Sequence, residues 1–212
     1  MMRLYGAKAP WPYLKGLIRD NRAVWFFEET GLTYERISLD PMKGETRNET
    51  YSQLNRFQKV PTLDHDGFIL KQSAAILHYL AATTGHLYPT SPHDQAKHLE
   101  WMFYCMSDIE AHAVQMATLL HMTDEKDHSH AQWMLTRAEK ILARALDYLN
   151  AELEGKSYLM GSEFLAADIL LGCCLFAIRD HDLVTSRKNI SNILVRYYAR
   201  PAFQRMLEIN GT

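Results

Sequence analysis

The hydrophobic rhythm of this chain changes once, and that change limits the folds open to it. Up to about Ala82, short strand-like runs alternate with helix-like stretches. Past "GHLYPTSPHD", which holds Pro89 and Pro92, apolar residues recur at helical spacing to the end. One period cannot describe both halves. The sequence therefore implies a small α/β unit over residues 1–84, a linker over 85–92 and an all-helical bundle over 93–212.

Within the first half, "MRLYG" reads as a strand and "NRAVWFFEETG" as a helix with Val24 and Phe27 inward and a glycine stop at Gly31. "YERISL" is a second strand, with Tyr34, Arg36 and Ser38 opposite Ile37 and Leu39. "PTLDH" and "FILK" flank Asp66-Gly67, a strong hairpin signal, and "SAAILHYLAAT" closes the unit as a helix ending near Gly85. The order is β-α-β-(α)-β-β-α, with the last two strands antiparallel. In the second half, Leu99, Met102, Phe103, Met106, Ile109, Ala113, Met116 and Leu120 mark the inner face of one long helix. Leu135, Ala138, Ile141, Leu142, Ala145, Leu149 and Leu153 mark that of the next. "AADILLGCCLFAI" is apolar nearly all round and should be buried. "ISNILVRYYA" and "PAFQRMLEI" are shorter helices, the last with Pro201 at its first turn.

Bulk properties remove several classes of function. The formal net charge of −2 gives no electrostatic case for a nucleic-acid partner or an anionic membrane surface. Phe164 to Ile178 is too short to span a bilayer and is broken by Asp168, and the start lacks the apolar core of a secretory signal. Cys105, Cys173 and Cys174 form no CxxC pair, which fits buried thiols in a reducing cytoplasm. "HMTDEKDHSH", His121 to His130, is rich in candidate ligands but has no metal-site spacing, so it reads as a solvated loop and no metal is expected.

One stretch resists this ordinary reading. In "NRFQKVPTLDHDGFILKQS", Pro61 stands at the head of a core strand, where a residue without an N–H suits only an edge or a start. Gln72-Ser73 then opens a helix. Taken alone, the proline would be a trans edge residue and Ser73 a plain N-cap.

Together with the hairpin, these residues resemble the glutathione S-transferases: a Val-Pro strand, a hairpin, then an acid-or-amide/Ser pair at a helix mouth. "NRAVWFFEETGLTYE" resembles the family's first helix and second strand, and "FLAADILLG" and "ARPAFQRML" resemble two segments of its helical domain. The resemblance runs through essentially the whole chain. It implies a thioredoxin-like α/β N-terminal domain, an all-α C-terminal domain, glutathione as co-substrate, a small-molecule electrophile and a homodimer.

Carried onto this sequence, the resemblance makes Val60-Pro61 a cis bond that turns the Val60 backbone toward the cysteinyl residue of glutathione, as in strand addition. Ser73 and the positive end of its helix would take the γ-glutamyl carboxylate. Gln72 stands where the family more often has Glu, replacing a charge-assisted bond to the ligand's ammonium by a neutral one, so glutathione binding should be weaker. Arg56 and Gln58 replace a common proline and glycine. Lys59 and Lys43 are candidates for the glycyl carboxylate.

The thiol also needs a donor or positive charge near it to become thiolate. "GAKAPWPYLKGLIRDNR" has no serine or cysteine for this. Arg19, Tyr13, Asn21 and Arg22 are the candidates, with the free N–H groups at the helix start, and Arg19 comes first, because Arg19-Asp20-Asn21-Arg22 with Trp25 resembles the "R-D-L-R-x-x-W" of bacterial members. Asp20 is expected to cap the helix. Family architecture points to Tyr104, Asp108 and His112 for the electrophile pocket, and in "FLAAD" Leu165 replaces the hydroxyl of a capping box, leaving Asp168 a structural role. The leading reading is an enzyme that transfers glutathione to an electrophile or reduces a peroxide or disulfide with it. The competing reading is a non-catalytic, protein-binding member of the same fold. A maleylacetoacetate-type isomerase ranks below both, since its Ser-Ser-Cys motif is missing.

Overall fold

The computed structural model describes residues 1–9, 16–122 and 128–209, with side chains for all of these except 121, 122 and 128–130. The chain forms two compact units, Met1–Tyr88 with Ala199–Thr212, and Pro89–Tyr198.

The first unit is built on a four-stranded sheet of order β2-β1-β3-β4. Strand β1 (Met2–Ala7) runs parallel to β2 (Glu35–Leu39) and antiparallel to β3 (Thr62–His65). The crossover between the parallel pair is α1 (Asn21–Thr30), the helix a parallel connection requires. Strands β3 and β4 (Phe68–Lys71) form the hairpin expected around Asp66-Gly67, and both turn residues have positive φ. Helix α2 (Glu49–Leu54) precedes β3, with Asn48 accepting from the Tyr51 N–H at 2.8 Å as its cap. Helix α3 (Ser73–Thr84) ends on left-handed Gly85.

Helix α1 is buried on all sides from Asn21 to Phe27, not on one face only. The cause is α10 (Pro201–Ile209), which the continuity of the helical pattern assigned to the second domain. It lies instead in the first unit, where Trp25 and Phe203 meet edge-on at 4.8 Å. Arg200 grips Glu29 through two bonds of 2.6 and 2.7 Å, and Arg205 reaches Glu28 at 2.6 Å. Bidentate pairs of this kind fix orientation as well as contributing energy.

The second unit contains α4 (Pro92–Tyr104), a π-helical segment (Cys105–Glu110), α5 (Ala111–Met122), α6 (His128–Glu152), α7 (Ala166–Leu175), α8 (Asp182–Thr185) and α9 (Lys188–Tyr198). Helix α7 is buried almost throughout, as its uniform apolarity demands. Asp168 lies fully buried at its first turn and accepts from the Leu165 and Leu159 N–H groups at 2.8 Å and from the Tyr197 hydroxyl. That is a structural carboxylate held by three donors. No described helix is long and apolar enough to cross a membrane.

Candidate active site

The cleft of interest belongs wholly to the first unit and begins with an ordering device beneath it. Tyr51 from α2 and Asn55 after it both donate to the Lys59 carbonyl at 2.7 Å. Their other bonds reach the Thr62 hydroxyl, at 2.8 Å from the tyrosine oxygen and 2.9 Å from the amide. The Asn55 side-chain oxygen, Oδ1, also accepts from the Phe57 N–H at 3.0 Å. Buried polar groups satisfied in this way lock the 55–62 loop, and burial pushes the Tyr51 phenol up. Gln58, standing where the family often has glycine, takes a left-handed conformation at φ 53°. The loop thus keeps a glycine-like backbone without the glycine.

The Val60-Pro61 bond is cis. The β3 ladder starts only at Thr62, paired with Tyr5 on one side and Lys71 on the other. Among the described residues the Val60 backbone has no hydrogen-bond partner. It therefore presents a free donor and acceptor beside the sheet, the arrangement a peptide can extend.

Opposite lies the mouth of α3. Gln72 takes the cap position with φ 72° and makes no side-chain capping bond. Ser73 is the first helical residue and does not act as the N-cap. Its hydroxyl accepts from Nη1 of Arg22 at 2.6 Å, in a buried contact between α1 and α3. The guanidinium places a positive charge behind that hydroxyl, and the free N–H groups of the helix's first turn add to it, so this end of the cleft favours an anion.

The structure brings Arg19, Lys59, Val60, Pro61, Gln72 and Ser73 to one cleft, drawn from three separated stretches of chain. It adds Asn55, Phe57 and Lys71 to the walls. Lys71 was missed by sequence reasoning, and Arg22, expected near the thiol, stands behind Ser73. Lys71 carried a signal in its place beside Gln72, whereas nothing in sequence tied Arg22 to Ser73. Asn21 is fully buried and is not part of the lining. Lys43 is exposed on a short turn and is not part of it either. Tyr13 lies outside the described residues, as do the side chains of His121 to His130; no group of metal ligands occurs among the described residues.

Asp20 does not cap α1 through its side chain. It is fully buried against Gly6, and its carboxylate takes the Arg36 guanidinium from β2 at 3.0 Å. Burial pushes its carboxyl above the ordinary value, opposed by Arg36. The acid next to Arg19 is therefore neutralised inside the unit.

In the second unit, Tyr104, Asp108 and His112 fall at four-residue spacing across the π-helical segment. The Tyr104 hydroxyl donates to the Ala145 carbonyl at 2.7 Å, Asp108 is exposed and bonded to the Ser107 hydroxyl, and His112 is half-buried.

The first unit is thus a thioredoxin-like α/β unit with a cleft at a cis-proline, and it is joined to an all-helical unit. Residues 13–82 match the description "Glutathione S-transferase, N-terminal domain" and residues 131–198 match "Glutathione S-transferase, C-terminal domain". Cattle glutathione S-transferase theta-1 is 30% identical over 166 residues, covering 74% of this chain and 68% of that protein. Rat glutathione S-transferase theta-2 is 27% identical over 214 residues, covering 94% and 87%. In structure, a glutathione transferase from Burkholderia graminis with two glutathione molecules bound per subunit superposes with a TM-score of 0.85 at 24% identity, covering 98% of this chain and 87% of that one. This chain belongs to the glutathione S-transferase family.

Proposed function

We propose that the chain is a glutathione transferase that binds glutathione in the cleft at Val60-Pro61 and delivers its thiolate to a small electrophile. The observation that carries this reading is the meeting of Val60-Pro61, Ser73 backed by Arg22, and Arg19 in one cleft. The unpaired Val60 backbone suits the cysteinyl residue, and the α3 mouth suits a carboxylate. Lys59 suits the second carboxylate, because it is exposed and has no ion-pair partner among the described residues. Arg19 is assigned the role of stabilising the thiolate by charge, since the described lining holds no serine, cysteine or tyrosine hydroxyl other than Ser73. Tyr104, Asp108 and His112 are assigned to electrophile recognition, and the active species is a homodimer.

Isothermal titration with glutathione tests the binding step. The unaltered protein should bind at millimolar ligand or below. Ser73→Ala should weaken binding by about ten- to a hundredfold, since bonds to a charged group contribute about 1.5–3 kcal/mol. Absence of binding by the unaltered protein at millimolar glutathione would sink the reading. For the chemical step, mixing with glutathione should raise the ultraviolet thiolate band near neutral pH, and Arg19→Gln should abolish that rise while leaving affinity nearly unchanged. Binding without any thiolate signal in the unaltered protein would favour the non-catalytic reading instead.

A further inference from the structure

Glutathione carries two carboxylates and one ammonium, and the cleft answers these unequally. Its described lining contains Arg19, Lys59 and Lys71, and no carboxylate. Lys59 and Lys71 have no ion-pair partner among the described residues. Arg22 adds a fourth cation behind Ser73. The unit's buried carboxylates are committed elsewhere: Asp20 to Arg36, and Asp64 to Arg3 at 3.2 Å and to the Gly67 N–H at 2.8 Å. Glu28 and Glu29 are taken by Arg205 and Arg200. At the helix mouth, the exposed side chain among the described residues that could meet an ammonium is Gln72, which is neutral.

We infer that this cleft reads its ligand through the carboxylates alone, and so accepts peptide thiols whose γ-glutamyl amino group is absent or blocked as readily as glutathione itself. The inference rests on the glutathione-binding reading above. A cationic lining whose described residues include no acid offers an ammonium no charge-assisted bond, and it places like charge near it. Removing the ammonium therefore forfeits only a neutral hydrogen bond to Gln72, and relieves repulsion from Lys71. Thiol substrates for such an enzyme need two acidic ends at the spacing of the tripeptide; the amine is dispensable.

The test compares glutathione with glutaryl-cysteinyl-glycine, which keeps both carboxylates and the thiol but has hydrogen in place of the ammonium, by isothermal titration on the full chain. On the unaltered protein the glutaryl peptide should bind within about threefold of glutathione, or tighter. Glutathione favoured by more than about threefold overturns the inference while leaving the functional reading intact; failure of both ligands to bind removes that reading itself. Gln72→Glu should open a preference for glutathione of about tenfold or more, because it supplies the missing acid, and an unchanged ratio counts against the inference. Lys71→Gln should weaken the glutaryl peptide more than glutathione, because both lose an attraction to the carboxylate and only glutathione loses a repulsion of its ammonium; weakening of glutathione alone would contradict it.

Discussion

Gly6 shows how a single missing side chain governs the region around the cleft. It sits on β1, paired with Ser38, and a Cβ built there would lie 2.7 Å from the Asp20 Cγ and 3.3 Å from Nη2 of Arg36. Glycine is required here for space and not for backbone conformation, since the carboxylate of Asp20 occupies the volume an alanine methyl would need. Gly6→Ala should displace that carboxylate from Arg36 and cost about 3 kcal/mol or more, combining overpacking with the opening of a buried ion pair. Equilibrium urea unfolding of Gly6→Ala, Asp20→Ala and the double variant checks this. The double variant should be less destabilised than the sum of the singles, because the clash exists only while both groups are present; strict additivity would refute the coupling. In mild acid the same site behaves unlike most carboxylates. Burial raises the folded-state value above 3.8, so the folded protein takes the proton first, and acidification through that window relieves a cost of the folded state.

At the scale of elements, the helix α4 carries its information in residues that look wrong for a core. His98 is fully buried, and its Nε2 accepts from the Ala167 N–H at 3.0 Å. That backbone group belongs to the first turn of α7, where Leu165 has no hydroxyl to offer. A histidine from another helix thus provides the acceptor that a serine or threonine cap usually gives, and its proton must reside on Nδ1. His98→Leu should cost about 1–3 kcal/mol by stranding a buried N–H, and His98→Gln, whose amide oxygen can accept, should recover part of it in thermal melts. Equal losses for both would assign the effect to packing alone. The histidine also explains where helical periodicity misled. The expected inner face shares Met102, Ile109, Ala113 and Met116 with the observed one, but Phe103 and Leu120 are 65% and 44% exposed, whereas His98, Trp101 and Cys105 are buried. A pattern read from apolar residues cannot select a face anchored by histidine, and the π-helical turn at Cys105–Glu110 shifts the phase midway. On α6, Leu146 is buried and Ile141 is 36% exposed, a smaller rotation of the same kind. By contrast, every strand of the first unit was legible, because alternation, the Asp66-Gly67 turn and Pro61 are local signals. The Val60 and Ser73 faces of the cleft were legible for that reason. Arg22 behind Ser73, and α10 on α1, depend on contacts between distant segments, and no local pattern encodes them.

Over the whole molecule, the tyrosines set a limit on the alkaline side that both units share. In the first unit Tyr34 is pushed up to about 12, mainly by burial and then by Glu28, and Tyr51 is raised by burial. In the second, burial raises Tyr104, Tyr197 and Tyr198, with Asp168 adding to the shift at Tyr197. Four of these phenols also donate hydrogen bonds that ionisation would break: Tyr51 to the Lys59 carbonyl, Tyr104 to that of Ala145, Tyr198 to that of Gly172, and Tyr197 to Asp168. The sign follows from proton counting. An unfolded tyrosine ionises near about 10, while the folded one still holds its proton, so above that pH the unfolded state binds fewer protons and stability falls as pH rises. The contribution is fully present below about pH 10 and is lost upward from there, at up to about 1.4 kcal/mol per pH unit for each wholly buried phenol. Urea midpoints should therefore be flat from about pH 7 to 9 and drop steeply above about 10. Tyr34, stacked on Phe27 at 4.1 Å, allows a clean check, because phenylalanine preserves that stack and Tyr34 makes no hydrogen bond among the described residues. Tyr34→Phe should leave the neutral-pH midpoint within about 0.5 kcal/mol and make the fall between about pH 10 and 12 shallower. An identical alkaline slope in the variant would exclude Tyr34 from the transition and place the alkaline limit on the remaining buried phenols.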